Sequence, residues 1–384
     1  MKIIKIFLLV LMVLVNTIFL TGCWSYAEID KLAIVAGVAF DKGINDKYMV
    51  TVEIVQNSGG KDSKTSSEII SMEGKTLFDA VRNGIALTGK RLYWAHSSVV
   101  ILSKDIAQEG ITKITDWYIR DSETREDVDI LISEEASAKE ILEGQETTDP
   151  IKSLTMAAVV KNQRSLSKSP KSDVLSVSME LQSKGMSTVI PTVNLKQIDG
   201  KTVPQIIGTA IIKDDKLIGE LNGEETKDLI FIRDEVKGGI LVEGTEERSL
   251  TTPVSLEIFK SKTKVKPDVE GRNIKMEISI NTTVSIDEIE GNENYIDDAG
   301  RKKLEQNANS KMKERIQSLI KKVQSEYDAD IFKFGTKLRE DNVQTWEAVC
   351  DKWEKYFKIL MVDVKPNVHI KNSAILAKTL GKGG

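Results

Sequence analysis

The sequence contains few of the residues from which catalytic and metal sites are most often built. Its 384 residues include two histidines and two cysteines, which leaves little material for a zinc site or for histidine acid–base chemistry. It also lacks basic character, because 54 Lys and Arg residues are outnumbered by 58 Asp and Glu residues. A nucleic-acid partner is therefore not expected, since binding to phosphates needs a basic surface.

What remains is the composition of an ordinary folded protein. Hydrophobic residues make up 40% of the chain and charged residues 29%, values close to those of globular domains. This composition excludes collagen-like, purely coiled-coil and wholly disordered chains. The length is sufficient for two or three domains with cores of their own.

Motifs with a known chemistry are incomplete in this chain. Residues Gly84–Lys90 match the first half of a phosphate-binding loop, but Arg91 replaces the Ser or Thr that would bind magnesium. We expect Gly89 to end a helix instead. The acidic run Asp287–Gly291 has the wrong register for calcium. Because no catalytic set is recognisable, the sequence predicts a non-catalytic protein with a binding or signalling role and with no cofactor or metal.

The amino-terminal residues have the pattern of an export signal. Lys2 and Lys5 precede an almost unbroken apolar run over residues 6–20. In a helix such a run reaches about 22 Å, short of the roughly 30 Å hydrocarbon layer of a bilayer. A basic start followed by a short apolar segment predicts a signal peptide over residues 1–22 that is removed from the mature chain.

The apolar run ends in a motif that resembles a bacterial lipobox, formed by Leu20, Thr21, Gly22 and Cys23. Cleavage before Cys23 would leave its sulfur at the new amino terminus, where it carries a diacylglyceryl group. Two acyl chains hold a protein stably at a membrane, whereas one chain holds it weakly. The alternative is an uncleaved anchor helix with an incidental cysteine. The lipoprotein interpretation places the body at the outer face of a bacterial membrane.

The second cysteine then has no partner for an intramolecular disulfide. Cys350 lies in the helical pattern of residues 346–353, and we expect it to be a small core residue.

Hydrophobic periodicity predicts a mixed α+β fold. Alternation indicates strands over residues 32–41, 48–54, 68–72, 97–102, 127–132, 188–198, 205–213, 216–221, 274–286 and 360–370. Helical patterns occupy residues 76–88, 111–119 and 136–142, and a long helix is expected over about 297–328. The first helix has Leu77, Phe78, Val81 and Ile85 on its apolar stripe. We expect mixed or antiparallel sheets with packed helices in an elongated, multi-domain molecule.

The turn at residues 199–201 is the expected main domain boundary. It separates an N-terminal part, residues 23–200, from a C-terminal part, residues 201–384. The polar stretch within residues 161–173 predicts a mobile loop or a junction between two subdomains of the N-terminal part.

Two short segments are candidates for contact with a partner. The first provides Arg91, Tyr93, Trp94 and His96, and the second provides Arg120, Asp121, Glu123 and Arg125. Arginine and aromatic residues on loops are typical of binding surfaces. The structural alternatives are a hydrogen-bonded packing role for His96 and an ion-paired, solvated surface for the charge run.

Several strings follow one another in a recognisable order along the chain. They are C-W-S-Y-A-E-I-D at 23–30, G-K-T-L-F-D-A at 74–80, R-L-Y-W-A-H at 91–96, R-D-S-E at 120–123, I-P-T at 190–192, G-T-A-I-I-K-D-D-K-L-I-G at 208–219, D-I-F-K-F-G at 330–335, and the pair Trp346 and Trp353. Together they resemble the Ger(x)C family, the C subunits of bacterial spore germinant receptors. Ser25 departs from the Asp that usually follows Cys-Trp in that family.

The resemblance implies an elongated lipoprotein of three mixed α/β domains. It also implies that the chain works with integral-membrane A and B subunits in the inner spore membrane, in a complex that responds to nutrients. Whether this subunit itself binds the nutrient is left open.

Two rival functions remain at this point. A lipid-anchored solute-binding protein of an importer would show repeated βα units and a parallel sheet, whereas the clean alternation here favours antiparallel strands. An envelope hydrolase would need a nucleophile or acid–base set that we do not find in the sequence.

Overall fold

The computed structural model describes residues 2–19, 31–57, 64–144, 149–243, 253–271, 273–290 and 293–372. The predicted lipobox and Cys23 lie outside these ranges. The apolar run forms helix α1, Lys2–Phe19. No helix within the described ranges is both long and apolar enough to cross a membrane.

The first sheet is built from strands that the sequence alternation had largely located. They are β1 (Leu32–Lys42), β2 (Tyr48–Asn57), β3 (Thr65–Gly74), β4 (Arg91–Tyr93), β5 (Val99–Leu102), β6 (Asp129–Ser133), β7 (Thr188–Ile198), β8 (Lys201–Lys213) and β9 (Lys216–Asn222). Their order is β3-β2-β1-β5-β6-β7-β8-β9, and β4 pairs with the start of β1. The four central strands β1, β5, β6 and β7 are parallel, and the outer pairs are antiparallel.

Helices cover both faces of this sheet. On one face lie α2 (Leu77–Thr88), α3 (Lys104–Glu109), α4 (Thr112–Arg120) and α7 (Val174–Leu181); on the other lie α5 (Ala138–Glu143) and α6 (Lys152–Ser165). All four residues of β5 are consequently buried. A parallel strand covered on both sides is expected to be apolar throughout.

Two buried carboxylates of the sheet fix the helices of its second face. Asp41, at the end of β1, accepts hydrogen bonds from the backbone N–H groups of Ala138 and Lys139 at 2.6 and 3.0 Å. Glu53 of β2 accepts two from the start of α6, both at 2.7 Å. The first N–H groups of a helix have no partner within it, and a carboxylate satisfies both their hydrogen bonds and their positive charge.

The second sheet consists of β10 (Ile240–Glu243), β11 (Val254–Glu270), β12 (Asn273–Ile289) and β13 (Met361–Asn372), in that order. β10 pairs with β11 and β11 with β12 in antiparallel fashion, whereas β12 and β13 are parallel. Helices α8 (Gly223–Ile232), α9 (Asp298–Lys322), α10 (Phe334–Asp341), α11 (Val343–Val349) and α12 (Trp353–Ile359) complete this half.

Helix α9 lies against one face of the second sheet. It buries a stripe of six residues, which are Leu304, Ala308, Met312, Ile316, Leu319 and Ile320. A single π-helical turn, Val323–Tyr327, continues it. The long helix and the mixed α/β class predicted from the sequence are therefore confirmed.

The expected boundary at residues 199–201 falls in the turn between β7 and β8. These strands pair from Thr188 with Ile212 to Ile198 with Lys201, so the first sheet continues across the turn. The polar stretch after α6 packs against the second half of the chain, because the Ser167 hydroxyl donates to the Gly238 carbonyl at 2.8 Å.

Two details of packing differ from the sequence expectations. The Phe78 side chain, expected in the core, is 50% exposed. The buried face of α2 is formed instead by Leu77, Ala80, Val81 and Gly84. Cys350 is only partly buried, against the hydrophobic core between the second sheet and its helices.

Candidate functional site

The two segments predicted to contact a partner meet in one place. Arg91 of β4 forms an ion pair with Glu123, which lies in the loop that follows α4. Helices α2 and α4 flank this point, and a continuous depression runs between them. We call this surface the α2–α4 groove and define it by the residues that line its two adjoining cavities.

The larger cavity has a volume of about 500 Å³ and is lined by Tyr48, Lys75, Thr76, Leu77, Phe78, Lys113, Asp116, Trp117, Arg120 and Asp121. The smaller cavity, of about 300 Å³, is lined by Phe78, Val81, Arg82, Ile85, Arg91, Leu92, Trp94, Arg120, Asp121, Ser122 and Glu123. Phe78, Arg120 and Asp121 belong to both cavities.

Local sequence fixes the position of α2. The Thr76 hydroxyl accepts a hydrogen bond from the Asp79 N–H at 3.1 Å, and the Asp79 carboxylate accepts one from the Lys75 N–H at 2.9 Å. The first bond satisfies an N–H group that the first helical turn leaves free, and the second ties the residue before the N-cap to the same turn. Gly89 ends the helix with a positive φ of 66°, as the sequence predicts.

Aromatic packing fixes the position of α4. The rings of Trp94 and Trp117 meet edge to face with centroids 5.1 Å apart, and Phe40 packs against Trp117 at 6.1 Å. Trp94 is only 2% exposed. The expectation that Trp94 contacts a partner is therefore corrected: its large apolar ring belongs to the core and supports the groove from below.

The charged residues of the second segment are paired near the surface. Arg120 donates to Asp116 at 2.7 Å, and Arg125 forms two hydrogen bonds with Asp127 at 2.9 and 2.7 Å. The hydrogen bonds from Arg125 hold the pKa of Asp127 below its usual range. Both pairs are exposed, so they contribute little to stability. Together with Arg91 and Glu123, these charged residues form the edge of the groove, which we call its rim.

His96 is exposed, with its ring 5.8 Å from that of Tyr93. The packing role considered for His96 is not what the structure shows.

Arg91, Arg120, Asp121 and Glu123 line the groove itself, whereas Arg125 lies outside its lining. Of the eight predicted contact residues, five line the groove, because the buried Trp94 also borders the smaller cavity.

Sequence reasoning missed the floor of the groove. Tyr48 comes from β2, and Phe78 was assigned to the core. A signal for α4 was present, because Lys113, Asp116, Trp117 and Arg120 recur at the helical spacing of three and four residues and so share one face.

The chemistry available in the groove is binding chemistry. It combines exposed and buried aromatic rings with charged residues at the rim, a combination typical of recognition surfaces. Within the described ranges, no group of three or more His, Cys, Asp and Glu residues is placed to hold a metal ion.

Comparison with known proteins gives consistent matches over most of the chain. Residues 25–195 match the family described as spore germination protein N-terminal domain. Residues 207–374 match the family described as spore germination B3/GerAC like, C-terminal.

Individual relatives match over nearly their whole length. Spore germination protein KC of Bacillus subtilis is 22% identical, with 96% of each chain covered. Spore germination protein B3 of the same organism is 24% identical, with 88% of this chain and 90% of the relative covered. Among solved structures, the crystal structure of the GerBC protein matches with a TM-score of 0.56 and 21% identity, over 88% of this chain and 97% of that one. This structural likeness confirms the fold.

Proposed function

This chain belongs to the Ger(x)C family of spore germination proteins, and on that premise we propose that it is the lipid-anchored, non-catalytic subunit of a spore nutrient germinant receptor. In this role it associates with integral-membrane A and B subunits at the inner spore membrane. The observation that carries the proposal is the match of both family domains, over residues 25–195 and 207–374.

Attachment through Cys23 is the second part of the proposal. The residues before it have the lipobox pattern, and the mature chain is more acidic than the precursor because Lys2 and Lys5 are removed with the signal peptide. An acidic body gains no attraction from anionic lipids. A diacyl anchor would therefore supply the attachment and raise the local concentration of the body beside its membrane partners.

The partner surface in this proposal is the rim of the α2–α4 groove. Arg91, which forms the ion pair with Glu123, belongs to the same segment as Tyr93 and His96, and Arg120, Asp121 and Arg125 belong to the segment that contains Glu123. The chain between Cys23 and Leu32 spans at most about 30 Å when fully extended. Leu32 pairs with Arg91 in the sheet, so the anchor would keep this rim near the membrane, where the partner subunits are embedded.

The test compares Cys23→Ala with Cys350→Ala, which removes the other cysteine. Spores carrying each variant are labelled with a palmitate analogue, and the chain is then recovered from solubilised spore membranes. We expect Cys23→Ala to abolish the label and to reduce co-recovery of two multi-span proteins, and Cys350→Ala to leave both unchanged. Normal labelling and normal membrane retention of the Cys23→Ala chain would refute the anchoring.

A solute-binding protein of an importer remains the alternative. It would be favoured if one free nutrient strongly stabilised the purified chain in a thermal-shift measurement without any partner and if the recovered chain lacked multi-span partners.

A further inference from the structure

The larger cavity of the α2–α4 groove has the properties of a small-molecule site. Its volume of about 500 Å³ lies within the range of pockets that hold small ligands. Three aromatic rings, those of Tyr48, Phe78 and Trp117, line it together with Leu77. Phe78 keeps half of its side chain exposed although it lies beside a well-packed core.

The two lysines of this cavity lack carboxylate partners. Neither Lys75 nor Lys113 forms an ion pair with any residue in the described ranges. The Lys113 ammonium lies 5.8 Å from the centre of the Tyr48 ring. A hydrogen bond with the Tyr48 side chain raises the pKa of Lys113, so this lysine stays charged at neutral pH.

The carboxylates of the same cavity are already engaged. Asp116 accepts from Arg120 at 2.7 Å, and one oxygen of Asp121 accepts from the Glu123 N–H at 2.9 Å. In addition, the indole N–H of Trp117, a residue that is 9% exposed, has no acceptor among the described residues. The groups of this cavity left without a carboxylate partner are thus hydrogen-bond donors, two of them cationic.

We propose that this cavity binds a small organic carboxylate with an aromatic body. The carboxylate lies between the ammonium groups of Lys75 and Lys113, and the apolar body covers Phe78 and Trp117. Inorganic phosphate would use the cations but leave the aromatic floor exposed to water. An amine would meet two positive charges. This ligand site goes beyond the proposed receptor role and does not depend on lipid attachment, although Arg120 and Asp121 of the proposed partner surface also line the cavity.

The probe for this proposal is 3-(4-fluorophenyl)propionate, titrated into the full chain in lipid nanodiscs and followed by fluorine NMR. Empty nanodiscs correct for partition of the probe into lipid. The matched cation, 2-(4-fluorophenyl)ethylamine, and fluoroacetate, which has the charge without the ring, are titrated in parallel. We expect saturable binding of the aromatic carboxylate and at least tenfold weaker binding of the other two compounds.

Two pairs of variants locate the binding. Lys75→Gln combined with Lys113→Gln should weaken binding of the probe about tenfold, whereas Lys90→Gln with Lys139→Gln removes the same charge outside the cavity and should leave it unchanged. Phe78→Ala should weaken binding by a similar factor. Leu87→Ala, which truncates another exposed apolar residue of α2, should not.

Equal binding of the carboxylate and the amine would overturn the proposal, as would equal effects of the cavity variants and their controls. Absence of saturable binding would also overturn it. None of these outcomes bears on lipid labelling or on co-recovery of membrane subunits, so failure here is distinguishable from failure of the proposed function.

Discussion

The indole N–H of Trp353 donates a hydrogen bond to the buried carboxylate of Asp330 at 3.0 Å. The same carboxylate accepts three backbone N–H groups, from Phe332, Phe334 and Gly335, at 3.2, 3.1 and 2.7 Å. One side chain therefore folds the turn before α10 and joins it to α12. This contact explains why the string D-I-F-K-F-G and a distant tryptophan occur together in the sequence.

Asp330→Asn should destabilise the protein by about 2–3 kcal/mol. The amide keeps the size of the side chain but replaces one acceptor oxygen with a donor, which leaves buried N–H groups unsatisfied. Urea unfolding followed by tryptophan fluorescence measures the change. Asp351→Asn is the control, because that carboxylate is exposed and pairs with an exposed lysine; we expect a change below about 0.5 kcal/mol. Equal effects of the two variants would contradict this account of Asp330.

A second buried carboxylate predicts a pH dependence of stability. Burial raises the pKa of Asp228 to about 6, although Arg315 lies 3.2 Å away and opposes the shift. The folded state therefore binds a proton in the range from about pH 4 to pH 6 that the unfolded state has released. Stability contributed by this group is fully present below about pH 4 and is lost as the pH rises through 6.

The test compares the wild type with Asp228→Asn between pH 4.5 and pH 7. The asparagine cannot ionise, so the free energy of unfolding of the variant relative to the wild type should rise across this range, by roughly 1–3 kcal/mol. Urea unfolding at several pH values measures the difference in free energy of unfolding between the variant and the wild type. The contributions of all other titrating groups cancel in this difference. A difference that stays constant with pH would show that Asp228 does not titrate in this way.

Gly89 is required for its backbone conformation. Its φ is 66°, and a Cβ added there would meet no other atom within 4 Å. Gly89→Ala should therefore cost about 1 kcal/mol from backbone strain alone. Gly223→Ala is the control, because Gly223 has no positive φ and its added Cβ would make one ordinary contact at 3.6 Å. Thermal unfolding compares the two; equal losses would refute the helix-cap role of Gly89.

The rim of the groove predicts a loss of assembly without a loss of stability. Arg91→Ala removes an exposed guanidinium whose ion pair with Glu123 lies at the surface, so the free energy of unfolding should change by less than about 0.5 kcal/mol. Co-recovery of membrane subunits should fall several-fold. Arg339→Ala, at an exposed arginine of α10, provides the control. Full co-recovery with Arg91→Ala would remove this residue from the partner surface.

Sequence periodicity located ten of the strands and four of the helices, because alternation and helical stripes are local. It did not predict β10, β11 or the helices α3, α6, α7, α8 and α10. The α9 stripe and the β12 alternation could be identified from neighbouring residues alone. The parallel centre of the first sheet was harder to anticipate, because strand direction depends on how the chain returns after each helix. The clean alternation of outer strands had favoured antiparallel pairing for the whole sheet.

The candidate site could be predicted only in part. The two charged segments were recognisable from their composition, but their meeting through Arg91 and Glu123, 32 residues apart, was not. Trp94 was predicted at the surface but is buried, and Phe78 was predicted in the core but is half exposed. A periodic stripe marks one face of a helix, and it does not say which residue at the edge of that face is covered by the neighbouring helix.

The amino-acid sequence by itself determined the export pattern, the candidate lipid-attachment cysteine, the family resemblance and most of the strands, because each depends on residues close together in the chain. The tertiary structure decided which groups share a surface and which carboxylates are buried. Asp41, for example, caps a helix that begins 97 residues later. Such contacts form only when packing brings distant segments together, and neither residue carries a local signal of its partner.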